Sequence, residues 1–171
     1  MLETHPLGNF TPPNMRYLLL GSFAAKGMDT DPKYDWYYSS RFNQFWRIIE
    51  KVYSVQLLTK KSKIELFSKL EIGIADIIYQ CERVKNNSLD TNLTNIVWNE
   101  SLNELLRSNK ITRIYFTSKF VEQKYRRHFK HLITEFPHIE LVTLPSPSPR
   151  YASMSLQDKT AKYKELLPEI K

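Results

Sequence analysis

Short apolar runs, too brief to be helices, alternate along this chain with stretches of helical period, and that alternation restricts the fold more than any other feature. Tyr17-Leu18-Leu19-Leu20, stopped by Gly21, reads as a buried strand over Arg16–Gly21. Ile111–Phe116 and Ile139–Leu144 repeat the pattern, and the apolar segment Ile72–Tyr79 reads as one more short strand. Between them, Phe42, Phe45, Trp46 and Ile49 recur at three- and four-residue spacing and predict a helix from about Phe42 to about Tyr53. Lys61–Leu70, the stripe Trp98, Leu102, Leu105 and Leu106, the series Val121, Tyr125 and Phe129, and Leu156–Leu167 predict four more helices. Gln80–Asn95 reads as a polar connection. Alternating strands and helices argue a three-layer α/β/α sandwich around a central, mainly parallel, four-stranded sheet. With 171 residues and 42% hydrophobic content, the chain suits one domain over 1–171. Ligands of such folds sit at the carboxyl ends of the strands, which directs attention to the segments after Leu20, Phe116 and Leu144.

Composition narrows the functional classes. The apolar runs fall far short of the roughly 20 residues that span a bilayer, and Met1–Phe10 lacks the basic start and apolar run of an export signal. The single cysteine, Cys81, suits a reducing compartment, so a cytoplasmic location is expected, and it cannot supply a four-cysteine cluster. No P-loop or Gly-x-Gly-x-x-Gly stretch occurs, which removes sequence support for nucleotide-cofactor chemistry. A net charge of +7 favours phosphate-bearing partners.

Three constellations carry chemistry. The first is Gly21-Ser22-Phe23, together with the aromatic loop Tyr34–Tyr38 that leads into Asn43-Gln44-Phe45-Trp46. Flat aromatic rings beside an amide suit a nucleobase, stacking on its face and satisfying its polar edge. Phe45 and Trp46 read as core, whereas Tyr38 and Asn43 read as site residues. The second is Leu144-Pro145-Ser146-Pro147-Ser148-Pro149-Arg150, in which alternating prolines stiffen a loop that presents two hydroxyls and a guanidinium. The third, Lys119, Lys124, Arg126, Arg127, His128, Lys130 and His131 on one predicted helix, reads as a solvated face. Its histidines, with His138, lack zinc-like spacing, so no metal site is expected. Asp29, Asp31 and Asp35 read as turn formers, Asp35 being the nearest to a site residue.

Taken in order, these segments resemble the uracil-DNA glycosylase superfamily, in particular its hypoxanthine-DNA and mismatch-specific branches. Leu20–Phe23 is similar to the first motif, Tyr38–Trp46 to an aromatic loop ending in Asn-x-Phe-Trp, and Leu144–Pro149 to a last motif of the form Leu-Pro-Ser-Thr-Ser-Pro. Gly73–Asp76, Cys81–Arg83 and Ser88–Asp90 also look like the hypoxanthine branch, so that the likeness covers about Tyr17–Lys164. It implies a monomeric DNA-repair glycosylase that flips a deaminated base, uracil or hypoxanthine, out of double- or single-stranded DNA and hydrolyses its N-glycosidic bond. By that likeness Asn43 is catalytic, Gly21, Ser22, Phe23 and Tyr38 bind the base, and Pro145, Ser146, Ser148 and Arg150 grip DNA. No metal or organic cofactor is implied. The chain departs from the pattern at Ala24-Ala25, Ser40-Arg41 and Pro147, and Phe23 stands where the best-known branches carry the Asp or Asn that activates water. Two other readings compete: a nucleic-acid-binding protein of the same fold without chemistry, and a hydrolase of free nucleosides.

Overall fold

The computed structural model describes residues 1–170. Four parallel strands form the central sheet: β2 (Tyr17–Gly21), β3 (Ile72–Asp76), β6 (Arg113–Phe116) and β7 (Glu140–Thr143), in the order β3-β2-β6-β7. Registers pair Gly21 with Asp76, Leu20 with both Ala75 and Phe116, and Phe116 with Thr143, so the carboxyl ends of all four strands finish level. The connection order reverses between β2 and β6, and the crevice that such a reversal opens is where α/β sheets bind ligands.

Period-two alternation in these strands feeds two separate cores. Leu18, Leu20, Ile114 and Phe116 point to one face, under α3 (Ser101–Ser108), α4 (Lys119–His128) and α5 (Lys130–Glu135), with Leu102, Leu106, Val121, Tyr125, Phe129 and Leu132 above them. Leu19, Ile72, Ile74 and Tyr115 point to the other, against α1 (Phe45–Tyr53), α2 (Lys60–Leu70) and α6 (Leu156–Leu166). Phe45, Ile48 and Ile49 are wholly buried there, as the helical spacing required. Caps set the helix starts. Thr59 and Ser62 form a capping box before α2, and the hydroxyls of Ser118 and Ser155 accept from backbone N–H groups of α4 and α6. None of the helices among the described residues is long and apolar enough to cross a membrane.

The α/β sandwich with a four-stranded parallel sheet is therefore as expected, with five local corrections. Ile72–Tyr79 is not one strand: the chain leaves β3 at Asp76 and, after Ile77, enters β4 (Ile78–Arg83) of a second sheet. That sheet, β1 (Leu2–Thr4), β4 and β5 (Leu93–Trp98), is antiparallel and occupies part of the segment read as a polar connection. Irregular register in β4 and a left-handed Asn95 in β5 break the alternation that would have marked them, and Trp98 ends β5 rather than beginning α3. The first helix begins at Phe45, not Phe42, because Asn43 makes a turn before it. The basic helix is broken at Phe129 into α4 and α5.

Candidate functional site

A cleft of about 790 Å³ opens over the carboxyl ends of β2, β3 and β6. Its floor follows from one glycine. A Cβ on Gly21 would stand 2.5 Å from Asp76 Oδ1 and 2.6 Å from the Tyr38 hydroxyl, so no other residue fits and two polar atoms converge there. Both atoms are buried and neither has a hydrogen-bond partner. Just one other described buried side-chain polar atom is in that position, Arg16 Nε, which lies before β2 at the opposite end of the sheet and 3.4 Å from the Glu71 carboxylate. Burial holds the Tyr38 hydroxyl far above its ordinary titration range, with the nearby Asp76 charge adding to the effect, so it stays protonated. Tyr38 is held at φ 58, a conformation costly for a bulky side chain, while its ring packs 4.5 Å from that of Phe45.

What holds Tyr38 in place is the aromatic loop beneath it. Trp46 Nε1 donates to Tyr37 O at 2.6 Å, the Tyr37 hydroxyl donates to Gly8 O, and the Tyr34 hydroxyl accepts from Ala25 N–H. Lys63, almost fully buried in α2, donates to Ser39 Oγ and lies over the Trp46 ring. Burial draws its ammonium below the ordinary lysine range, partly offset by Asp35 at 3.8 Å. Asp35 thus serves the scaffold, whereas Asp31 lines the cleft and also makes the turn to Lys33.

Each sequence-level candidate can now be placed. Ser22, Phe23, Tyr38 and Asn43 line the cleft, as do Ser146, Ser148 and Arg150, with Gly21 beneath; Pro145 does not, and accepts the Tyr163 hydroxyl through its carbonyl instead. Asn43 Oδ1 accepts from Phe45 N–H at 2.9 Å, which starts α1 and leaves the amide NH₂ free to donate to a ligand. Ser22 Oγ donates to Asp90 Oδ1 at 2.6 Å, and burial raises Asp90 above the ordinary carboxylate range despite that bond.

The proline loop is strapped to the body. Gln44 N–H donates to Pro147 O, and Lys159, 1% exposed in α6, donates to Gln44 Oε1 at 2.9 Å and Ser148 O at 3.0 Å. Ser146 Oγ and Ser148 Oγ accept from N–H groups two residues on, so each keeps its O–H to donate outward. Arg150, Arg41 and Phe42 stand exposed at the mouth.

Sequence reasoning missed His5 and undervalued Asp76. His5 Nε2 lies 2.5 Å from Asp76 Oδ2, and both side chains are 5% exposed. Burial pulls the imidazole down, but the Asp76 hydrogen bond and charge outweigh it and leave His5 raised above 6.5. Asp76 sat inside the apolar segment read as one strand, and His5 lies outside the part of the chain that carried the resemblance. No group of three or more His, Cys, Asp or Glu side chains arranged to hold a metal occurs among the described residues.

No protein-family model matches the sequence, and no curated protein matches it. Among solved structures, the fold superposes on a solution NMR structure from Methanosarcina acetivorans that carries a provisional assignment as a uracil DNA glycosylase. The TM-score is 0.72 at 19% identity, over 97% of this chain and 96% of that one. At that identity the likeness establishes a shared architecture over nearly the whole of both chains.

Proposed function

We propose that this protein is a monofunctional DNA N-glycosylase that accepts an extrahelical uracil or hypoxanthine in its cleft and hydrolyses the bond to deoxyribose. The observation that carries this reading is the pairing of the cleft's two sides. Its floor is buried and closely packed and offers unpaired polar atoms, and its lip is a rigid, basic, proline-stiffened loop. A volume near 790 Å³ falls within the range of small-ligand pockets. The solved relative of the same fold supports a role in DNA repair.

In this reading the lip follows the phosphate backbone, with Arg150 and the two serine hydroxyls as donors. Phe23 and Tyr38 bound the base, and the Asn43 amide donates to it, stabilising the negative charge that grows on the departing ring. A mispaired or deaminated base costs less to extrude, which contributes selectivity. The hydrolysis requires no metal or organic cofactor, and the protein is expected to act as a monomer on duplex or single-stranded DNA.

The test is base release from labelled duplexes carrying uracil, hypoxanthine, thymine or xanthine, cleaved by alkali at abasic sites. Release from the uracil or hypoxanthine duplex, with none from undamaged DNA, is expected. Salt-dependent binding without release from any duplex would instead assign the fold to recognition alone.

A further inference from the structure

We propose that Asp76, positioned by His5, is the catalytic carboxylate of this cleft, receiving the proton of the attacking water and facing the cationic sugar; this rests on the glycosylase reading above. Asp76 ends β3 level with Gly21, beside β2, so it reaches the floor from the neighbouring strand. Its two oxygens have different work. Oδ2 is 2.5 Å from His5 Nε2, and His5 Nδ1 is 2.9 Å from Leu7 O, which fixes the imidazole at both nitrogens. Oδ1 is buried without a partner and lies 2.5 Å from where a Gly21 Cβ would stand, directed at the floor that the Tyr38 hydroxyl shares.

Asn43 cannot take this role, because an amide does not accept a proton near neutral pH, and its oxygen is already engaged by Phe45 N–H. Phe23, just beyond β2, offers no polar group at all. The division of labour follows: Asn43 at the base, Asp76 at the sugar. Water adds its oxygen to C1′ and passes a proton to Asp76 Oδ1. The N-glycosidic bond breaks with its electron pair leaving on the base, which accepts a hydrogen bond from the Asn43 amide and a proton from solvent. Asp76 then returns its proton to solvent. The titratable groups facing Asp76 are His5 from the N-terminal segment, Tyr34, Tyr37 and Tyr38 from the aromatic loop, and Asp90 with Arg83 beyond it.

Two measurements on the full chain test this. Single-turnover base release by Asp76→Asn, which keeps the side chain's size, is expected to fall at least about 100-fold with duplex affinity unchanged within about threefold. Equilibrium binding then compares a duplex carrying a cationic pyrrolidine in place of the sugar with one carrying neutral tetrahydrofuran. Wild type should prefer the cation by about tenfold or more, and Asp76→Asn should lose that preference. Should Asp76→Asn not fold, the His5 variants read the same pair: His5→Ala lowers the preference and His5→Gln, which restores a donor to Oδ2, recovers part of it. Equal preference in wild type, His5→Ala and His5→Gln overturns the proposal. Release that survives Asp76→Asn within about threefold overturns the role of Asp76 and leaves the glycosylase reading standing. Absence of release by wild type from every duplex overturns both.

Discussion

The floor of the cleft and its lip are built on opposite terms. At the floor, Gly21, Tyr38 and Asp76 are packed until no Cβ fits, and two buried polar atoms are left without partners beside a tyrosine in a left-handed conformation. At the lip, Pro145–Arg150 runs from half-buried to exposed at Pro149 and Arg150, with Pro147 buried, and its polar groups are tied: Pro145 O to Tyr163, Pro147 O to Gln44, Ser148 O to Lys159, and each serine oxygen to a nearby N–H. An unpaired polar atom in a closed space is costly, about 1–3 kcal/mol, and two of them converging on one cleft floor call for a reason, of which a reacting group is one. A loop whose groups are satisfied internally needs no ligand to hold its shape and can act as a rail. On the proposed reading the floor does the chemistry and the lip supplies affinity, and that difference can be broken by experiment.

The largest effect is expected from Gly21→Ala. Overpacking should cost about 1–3 kcal/mol of stability and displace Asp76 and Tyr38, lowering base release by about 100-fold or more. Thermal unfolding and single-turnover kinetics would show it, and a fully active Gly21→Ala would mean that the floor is not the reacting surface. Next is Asn43→Asp, which keeps the oxygen that starts α1 but removes the donors. Release should fall by about 100-fold while the melting temperature stays close to wild type. Asn43→Ala loses both roles, adding about 1 kcal/mol of destabilisation, so the pair separates the turn from the chemistry.

At the lip the pattern should invert. Lys159→Met keeps the buried stem but cuts the straps to Gln44 and Ser148. Duplex affinity should weaken about tenfold, or about 1.4 kcal/mol, with the rate at saturating DNA nearly unchanged. A collapse of that rate instead would show that lip and floor act as one unit. Arg150→Ala should weaken binding by only a fewfold and reduce the slope of log affinity against log salt by about 1, measured by titration at several salt concentrations.

The smallest effect is on stability against pH. Because His5 is raised in the folded state, the stabilisation from its pair with Asp76 is fully present below pH 6.5 and is lost as pH rises from 6.5 through the raised value. Denaturant melts across that window should show a decline that His5→Gln removes.

How much of this was legible depends on range. β2, β6 and β7 were readable because a short continuous apolar run is a local signal, and the lip was readable because alternating prolines set their own backbone. Four of the cleft-lining candidates, Ser22, Phe23, Tyr38 and Asn43, stand next to or shortly after β2, where strand geometry alone predicts a site. The second sheet was hidden because its register irregularity and the left-handed Asn95 erase alternation. Pro145 was included by its neighbours, although its carbonyl turns toward Tyr163 and its side chain does not line the cleft.

By itself, then, the sequence determined the α/β/α layering and the succession of short strands and helices, since each rests on patterns within a few residues. Tertiary structure decided which groups meet there. His5 and Asp76 are 71 residues apart, and only the register that sets Asp76 level with Gly21, together with β1 pairing on β4, brings the imidazole onto the carboxylate. Lys159 reaches Gln44 across 115 residues for the same reason. Pairings of that range leave no local pattern to read, because they are selected by packing rather than by the propensity of either segment.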